Sequence, residues 1–167
     1  MSDDDLDQRL ATASVRLAGL GSTLQERENW PLADRFDHSP EASWGPRETL
    51  AHLEEMLPFW LGEAERILDG PPDAPVPFGR TADDPIRIGV IGRDRGIPVR
   101  ELFARIAVDS ARTARRMREM TDAESARAGV HPTRGELTVA ALFERFVTGH
   151  IEGHVDQLRE ILESQGA

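Results

Sequence analysis

Apolar residues recur at helical spacing in four stretches of the chain. In the first, Leu6, Leu10, Ala13, Leu17, Leu20 and Leu24 are separated alternately by four and three positions. That stripe predicts an amphipathic helix from Asp4 to Glu28. Asp3, Asp4 and Asp5 at its start suit the positive end of the helix dipole. In the second stretch, Leu50, Leu53, Leu57, Trp60, Ala64 and Ile67 share one face. Gly45-Pro46 opens this helix and Gly70-Pro71-Pro72 ends it after Asp69. Pro58 lies inside the pattern and is expected to bend it. The third stripe, Leu102, Ile106, Ser110, Thr113, Met117 and Met120, belongs to a helix starting at Pro98. The fourth, after an N-cap at Thr138, carries Phe143, Phe146, His150, His154, Leu158 and Ile161 on one broad face and runs to Ser164.

The intervening segments lack this period. Asn29 to Gly45 reads as a connector with Trp30 and Trp44 packed on the bundle end, a capped turn at Ser39-Pro40-Glu41, and His38 as a connector residue. Gly70 to Ile97 reads as a long non-helical connection, a strap or a lid. Within it, Ile86, Ile88 and Val90 alternate with Arg87 and Gly89, which suggests a short extended piece. Thr121-Asp122-Ala123-Glu124 is expected to cap a short helix ending at Gly129, followed by a turn from Val130 to Gly135 that contains His131. The expected architecture is all-α: one domain over residues 1–167, a four-helix bundle with one long connection between its second and third helices.

Composition removes many chemistries. Among the 167 residues there is no cysteine and no tyrosine, and all 20 basic residues are arginine. Disulfides, thiolate ligands, cysteine nucleophiles, Schiff-base lysines and the P-loop lysine are therefore excluded. No apolar run approaches the roughly 20 residues that span a bilayer, and the start is acidic where a signal peptide is basic. These features point to a cytoplasmic protein without a membrane partner. The net charge of -10 disfavours nucleic acid. Arg100, Arg105, Arg112, Arg115, Arg116 and Arg118 crowd the third helix and read as a solvated, salt-bridged face rather than an anion groove.

Metal-assisted chemistry survives the subtraction. His150 and His154 are four apart on a helix, so both imidazoles reach one ion. His52, on the second helix, supplies a third ligand and leaves a position open, the catalytic pattern. Glu48 and Glu55 flank His52 by about a turn, and Gln157 follows His154 by three. All three are candidates to orient an imidazole from behind, and either glutamate could serve as a base.

Trp44-Gly45-Pro46-Arg47-Glu48-Thr49-Leu50-Ala51-His52-Leu53 resembles the opening of helix 2 in the DinB/YfiT-like family. The stretch His131 to Thr138, followed by His150-Ile151-Glu152-Gly153-His154-Val155-Asp156-Gln157-Leu158, is similar to that family's closing segment. The resemblance implies a four-helix bundle, often dimeric, in which one histidine of helix 2 and two of the last helix hold a divalent metal, commonly zinc or nickel. Position by position these are His52, His150 and His154. It further implies thiol-dependent chemistry, since relatives include bacillithiol S-transferases and a mycothiol-dependent maleylpyruvate isomerase. Pro58 and the segment from Gly70 to Ile97 depart from the pattern. The expected function is thus a divalent-metal-dependent S-transferase, isomerase or hydrolase acting on a small molecule. A low-molecular-weight thiol such as mycothiol is the implied co-substrate, and the arginine-rich, lysine-free composition leans the same way. The alternative is a non-catalytic dimeric metal-binding or stress-related bundle protein.

Overall fold

The structure, a computed structural model, describes residues 3–27, 29–34 and 41–166. Glu28 and His38 lie outside the described residues, as do Ser39 and Pro40 of the expected capped turn. The chain is mostly helical, with α1 (Asp3–Glu26), α2 (Pro46–Asp69), α3 (Pro85–Asp94), α4 (Val99–Glu119), α5 (Asp122–Ser125), α6 (Val139–Phe143) and α7 (Gly149–Gly166). A small sheet of β1 (Val76–Pro77), β2 (Ala128–His131) and β3 (Gly135–Thr138) corrects the all-α expectation. No described helix is long and apolar enough to cross a membrane.

The long helices follow their stripes. Leu6, Leu10, Ala13, Leu17 and Leu24 of α1 are buried, and α1 packs on α4 and α7. Leu50, Leu53, Leu57, Trp60, Ala64 and Ile67 of α2 are buried, and α2 packs on α4 and α7 as well. Pro46 starts α2 at the favoured first position. The helix continues through Pro58, whose ring is on the exposed side, where water can serve the carbonyl that loses its bond. On α4 the arginines are largely salt-bridged: Arg105 to Glu101, Arg116 to Glu65 and Glu124, and Arg118 to Asp7.

Two expectations for the connections are corrected. The stretch from Gly70 to Ile97 is not a structureless strap, and Ile86, Ile88 and Val90 are helical. Asp84 caps α3 by accepting from the Arg87 N–H at 2.9 Å, and Pro85 takes the first turn. The buried face of α3 is Arg87, Ile91 and Asp94, spaced four and three. Two of those three are charged, so a count of apolar residues misses the period. Ile86 points to solvent, 73% exposed. The Val130–Gly135 turn is in fact a hairpin, with Val130 opposite Glu136 and His131 opposite Gly135. β1 joins it in parallel, with Val76 opposite Gly129. Gly129 is required there, because a Cβ would come within 2.6 Å of the Phe78 ring. The short helix before the hairpin stops at Ser125, and its Thr121–Glu124 capping box forms as expected.

The last rod is not one regular helix. Thr138 caps α6, accepting from the Ala141 N–H at 3.1 Å. Residues Glu144–Thr148 are wound as a π-helix, and the Gly149 N–H reaches back to the Glu144 carbonyl. From α1, Arg9 grips Glu144 at 2.8 Å and Glu152 at 2.6 Å, one at the start of the wide turn and one after it. Its hydrogen bonds to those two carboxylates raise the Arg9 pKa further.

Candidate metal centre

His52 comes from the buried face of α2, one turn after Glu48. His150 and His154 come from the first turns of α7. The structure brings the three rings together: His52 Nε2 lies 2.9 Å from His150 Nε2, and His154 Nε2 lies 3.0 Å from the same atom. A tetrahedron with bonds of 2.0–2.1 Å has edges of about 3.3 Å, so two of the three nitrogen pairs are near ligand spacing, and all the ligand atoms lie within 4.8 Å of one another.

The histidines do not sit in the core stripe, as spacing alone predicts for a straight helix. The fully buried residues of α7 are Ile151, Val155 and Leu158. Each residue of an α-helix turns about 100°, so the extra residue of a π turn carries everything after it round by about that angle. His150 and His154 consequently flank the core, with side chains 31% and 8% exposed.

Neighbours set the ring tautomers. Gln157 Nε2 donates to the backbone carbonyls of Glu41 at 3.0 Å and Trp44 at 3.4 Å. A carbonyl can only accept, so the amide is oriented with Oε1 toward His154 Nδ1, 2.8 Å away. Nδ1 must then carry a proton, and neutral His154 turns a bare Nε2 toward His150. Behind His52, Glu55 Oε2 is 3.6 Å from Nδ1, too long for a hydrogen bond but placed to orient the ring. Glu55 itself is ion-paired with Arg80. Burial pushes the Glu55 carboxyl up against the lowering effect of that guanidinium. Glu48 is engaged elsewhere: it accepts from the Ala33 N–H at 2.9 Å and from Arg95 at 3.1 Å, and so ties the connector to α2.

Burial, and then the mutual repulsion of the rings, holds His52 well below the usual histidine pKa and His150 down to about 4. Both are therefore neutral near pH 7, the form a metal ion accepts.

A fourth donor comes from a residue that periodicity does not single out. Glu41 opens a 3-10 turn, Glu41–Ser43, just before Trp44. Its Oε2 is 3.6 Å from His150 Nε2 and 3.5 Å from His154 Nε2. Ligand atoms of Glu41, His52, His150 and His154 all lie within 4.8 Å of one another. Burial would raise the Glu41 pKa, but contact with His154 and the Arg87 guanidinium, its ion-pair partner, bring it below the carboxylate norm. No spacing rule finds Glu41, because its place depends on how the connector folds back and how Arg87 of α3 grips it. Trp44, 2% exposed, closes the site from behind, its ring 5.4 Å from that of His52.

A pocket of about 400 Å³ opens on Glu41, His52 and His150. Its lining includes His131, which is the last residue of β2 rather than a turn residue and is buried, 4% exposed. Thr133 donates its N–H to His131 Nδ1 at 3.3 Å. Compared with protein-family models, curated proteins and solved structures, the chain matches none.

Proposed function

We propose that the chain is a divalent-metal-dependent enzyme on a DinB-like four-helix frame, formed by α1, α2, α4 and the α6–α7 rod as a single domain. His52, His150 and His154 are the ligands, and Glu55 and Gln157 orient two of them from behind. The observation that carries this reading is the convergence of three Nε2 atoms, one with its tautomer fixed by Gln157, on a point open to a pocket. Zinc or nickel suits an imidazole-rich set without thiolates. Such an ion would lower the pKa of a bound thiol or water and supply a nucleophile near neutral pH. The reaction class is thiol transfer, isomerisation or hydrolysis. With no cysteine in the chain, any thiol arrives with a substrate, and a low-molecular-weight thiol of the mycothiol kind fits that need.

Glu41 favours a second reading. If its carboxylate takes the fourth corner permanently, the donor set is closed, as in structural sites, and the protein binds metal without turnover. If Glu41 yields that corner to substrate, it is placed to act as a base beside the ion.

Metal-stripped protein reloaded with zinc or nickel is expected to bind one equivalent per chain, and His150→Ala is expected to lose it with helical content retained. Unchanged metal affinity in His150→Ala would refute the ligand assignment. Loaded protein incubated with a thiol and a panel of electrophiles then separates the two readings. Thiol consumption that requires metal supports the enzyme, and tight metal with none supports the closed site.

A further inference from the structure

The pocket beside the histidines carries more positive charge than its own carboxylates balance. Four arginines line it. Arg80 is paired with Glu55 and lies over the Phe59 ring, 3.6 Å from its centroid. Arg87 is paired with Glu41 and donates to the Ala82 carbonyl at 2.9 Å. Arg134, in the turn between β2 and β3, and Arg145, in the π segment, make no ion pair or hydrogen bond among the described residues. Both stand near enough to His131 to disfavour its protonated form, after burial itself. This local surplus occurs in a chain of net charge -10, which as a whole repels anions.

The wall between these arginines and the histidines is aromatic. Trp60 and Phe146 stack with centroids 4.3 Å apart and planes 10° from parallel. His131 stacks on Phe146 at 5.0 Å and 19°. A ligand in this pocket is offered two unpaired guanidiniums beside His131, the flat rings of Trp60 and Phe146, and the histidine cluster. A volume of about 400 Å³ holds a small molecule and no polymer.

We infer that the pocket binds a small organic carboxylate, with its charged group on Arg134 and Arg145, its body along Phe146 and Trp60, and its opposite end at His150 and Glu41. The inference names the substrate class for the proposed enzyme and rests on that reading for what happens at the histidines. The grip itself needs no metal, since neither arginine is among the proposed ligands and both keep their charge in its absence. Inorganic phosphate has the charge without the body. An uncharged aromatic alcohol has the body without the charge.

The test is calorimetric titration of wild-type and R134Q/R145Q protein with benzoate, benzyl alcohol and inorganic phosphate, each with and without loaded zinc. Both arginines are exposed, so the double variant is expected to fold, as far-ultraviolet circular dichroism will check. Benzoate is expected to saturate wild-type protein in both metal states, and to bind the double variant at least about tenfold more weakly, the loss of one charge-assisted contact. Benzyl alcohol and phosphate are expected to bind wild-type protein about tenfold or more below benzoate on the same scale. Failure of benzoate to saturate, indifference to the double replacement, or equal binding of either control would overturn the inference. Arginine-dependent benzoate binding in protein that never takes up zinc would sink the metal reading and leave this one standing. Zinc uptake with arginine-independent benzoate binding would do the reverse.

Discussion

Two cavities among the described residues, one between α1 and α4 and one beside the histidines, each measure about 400 Å³, and of this pair only the second has the groups to do chemistry. The first lies between α1 and α4, where Ala11, Ala18, Ala107 and Ala111 leave a groove floored by Leu17, Phe103 and Ile106. Its only charged lining residue is Arg118, already paired with Asp7. The second lies where α2 and the last rod are joined through inserted pieces: the 3-10 turn with Glu41, α3 with Arg87, and the hairpin with His131. Small side chains on two regular helices leave an apolar groove. A site with several titratable groups needs side chains from elements that interrupt the regular packing, because one helix stripe cannot face a buried polar cluster and the core together.

That contrast can be broken or sharpened by experiment. The largest expected effect is at the apolar end. Ile106→Ala should destabilise the fold by about 2–5 kcal/mol in urea unfolding, the usual cost of truncating a buried branched side chain, with zinc stoichiometry unchanged while the protein is folded. Loss of zinc in the folded variant would show that the two ends are coupled.

Acid should separate them next. The unfolded chain takes up protons near the ordinary histidine pKa of about 6.5, whereas folded His150 resists until about 4 and burial holds His52 well below its ordinary value too. Between these limits the unfolded state binds more protons, so stability of the metal-free protein falls as pH drops from about 6.5 toward 4. His150→Gln should flatten this slope in a pH series of melting temperatures. An unchanged slope would mean that the rings are more solvated than their burial indicates.

Gln157→Leu removes the acceptor of His154 Nδ1 and both ties to the connector. Zinc affinity should fall about 10- to 100-fold, the range for partners behind a ligating histidine, as measured by competition with a chelator. The smallest effect is expected from Val15→Ser on the rim of the apolar groove. Val15 is 72% exposed, so the change should stay within about 0.5 kcal/mol and leave zinc binding untouched.

The extent of the long helices was legible because each presents one apolar stripe and carries local start and stop signals. Pro46, Thr138 and the Thr121–Glu124 box all act where the residues place them. The helix α3 was hidden because two of its three buried residues are charged: Arg87, whose partner Glu41 lies far back in the chain, and Asp94, which pairs with its neighbour Arg93. The hairpin was hidden because β1 supplies its third strand from fifty residues away, which no local pattern encodes. Within the site, His52, His150, His154 and Gln157 could be picked by spacing on helices. Glu41 could not, since it reaches the cluster only through the fold of the connector. Glu48 satisfied the spacing and still bonds to Ala33 and Arg95 instead. Periodicity tells which residues share a face, but not what a long carboxylate on that face will reach.

The wide turn at Glu144–Thr148 has one further consequence. It decides which face of the last rod meets the core. Wound as plain α-helix, the same residues would turn both imidazoles inward to take the places that Ile151 and Val155 fill. Both rings would then part from His52 and Glu41 and lie in a dry interior that no small molecule enters. Whether these rings face a pocket or the apolar core comes down to one extra residue taken up in a single turn, which Arg9 clasps from the neighbouring helix through Glu144 and Glu152.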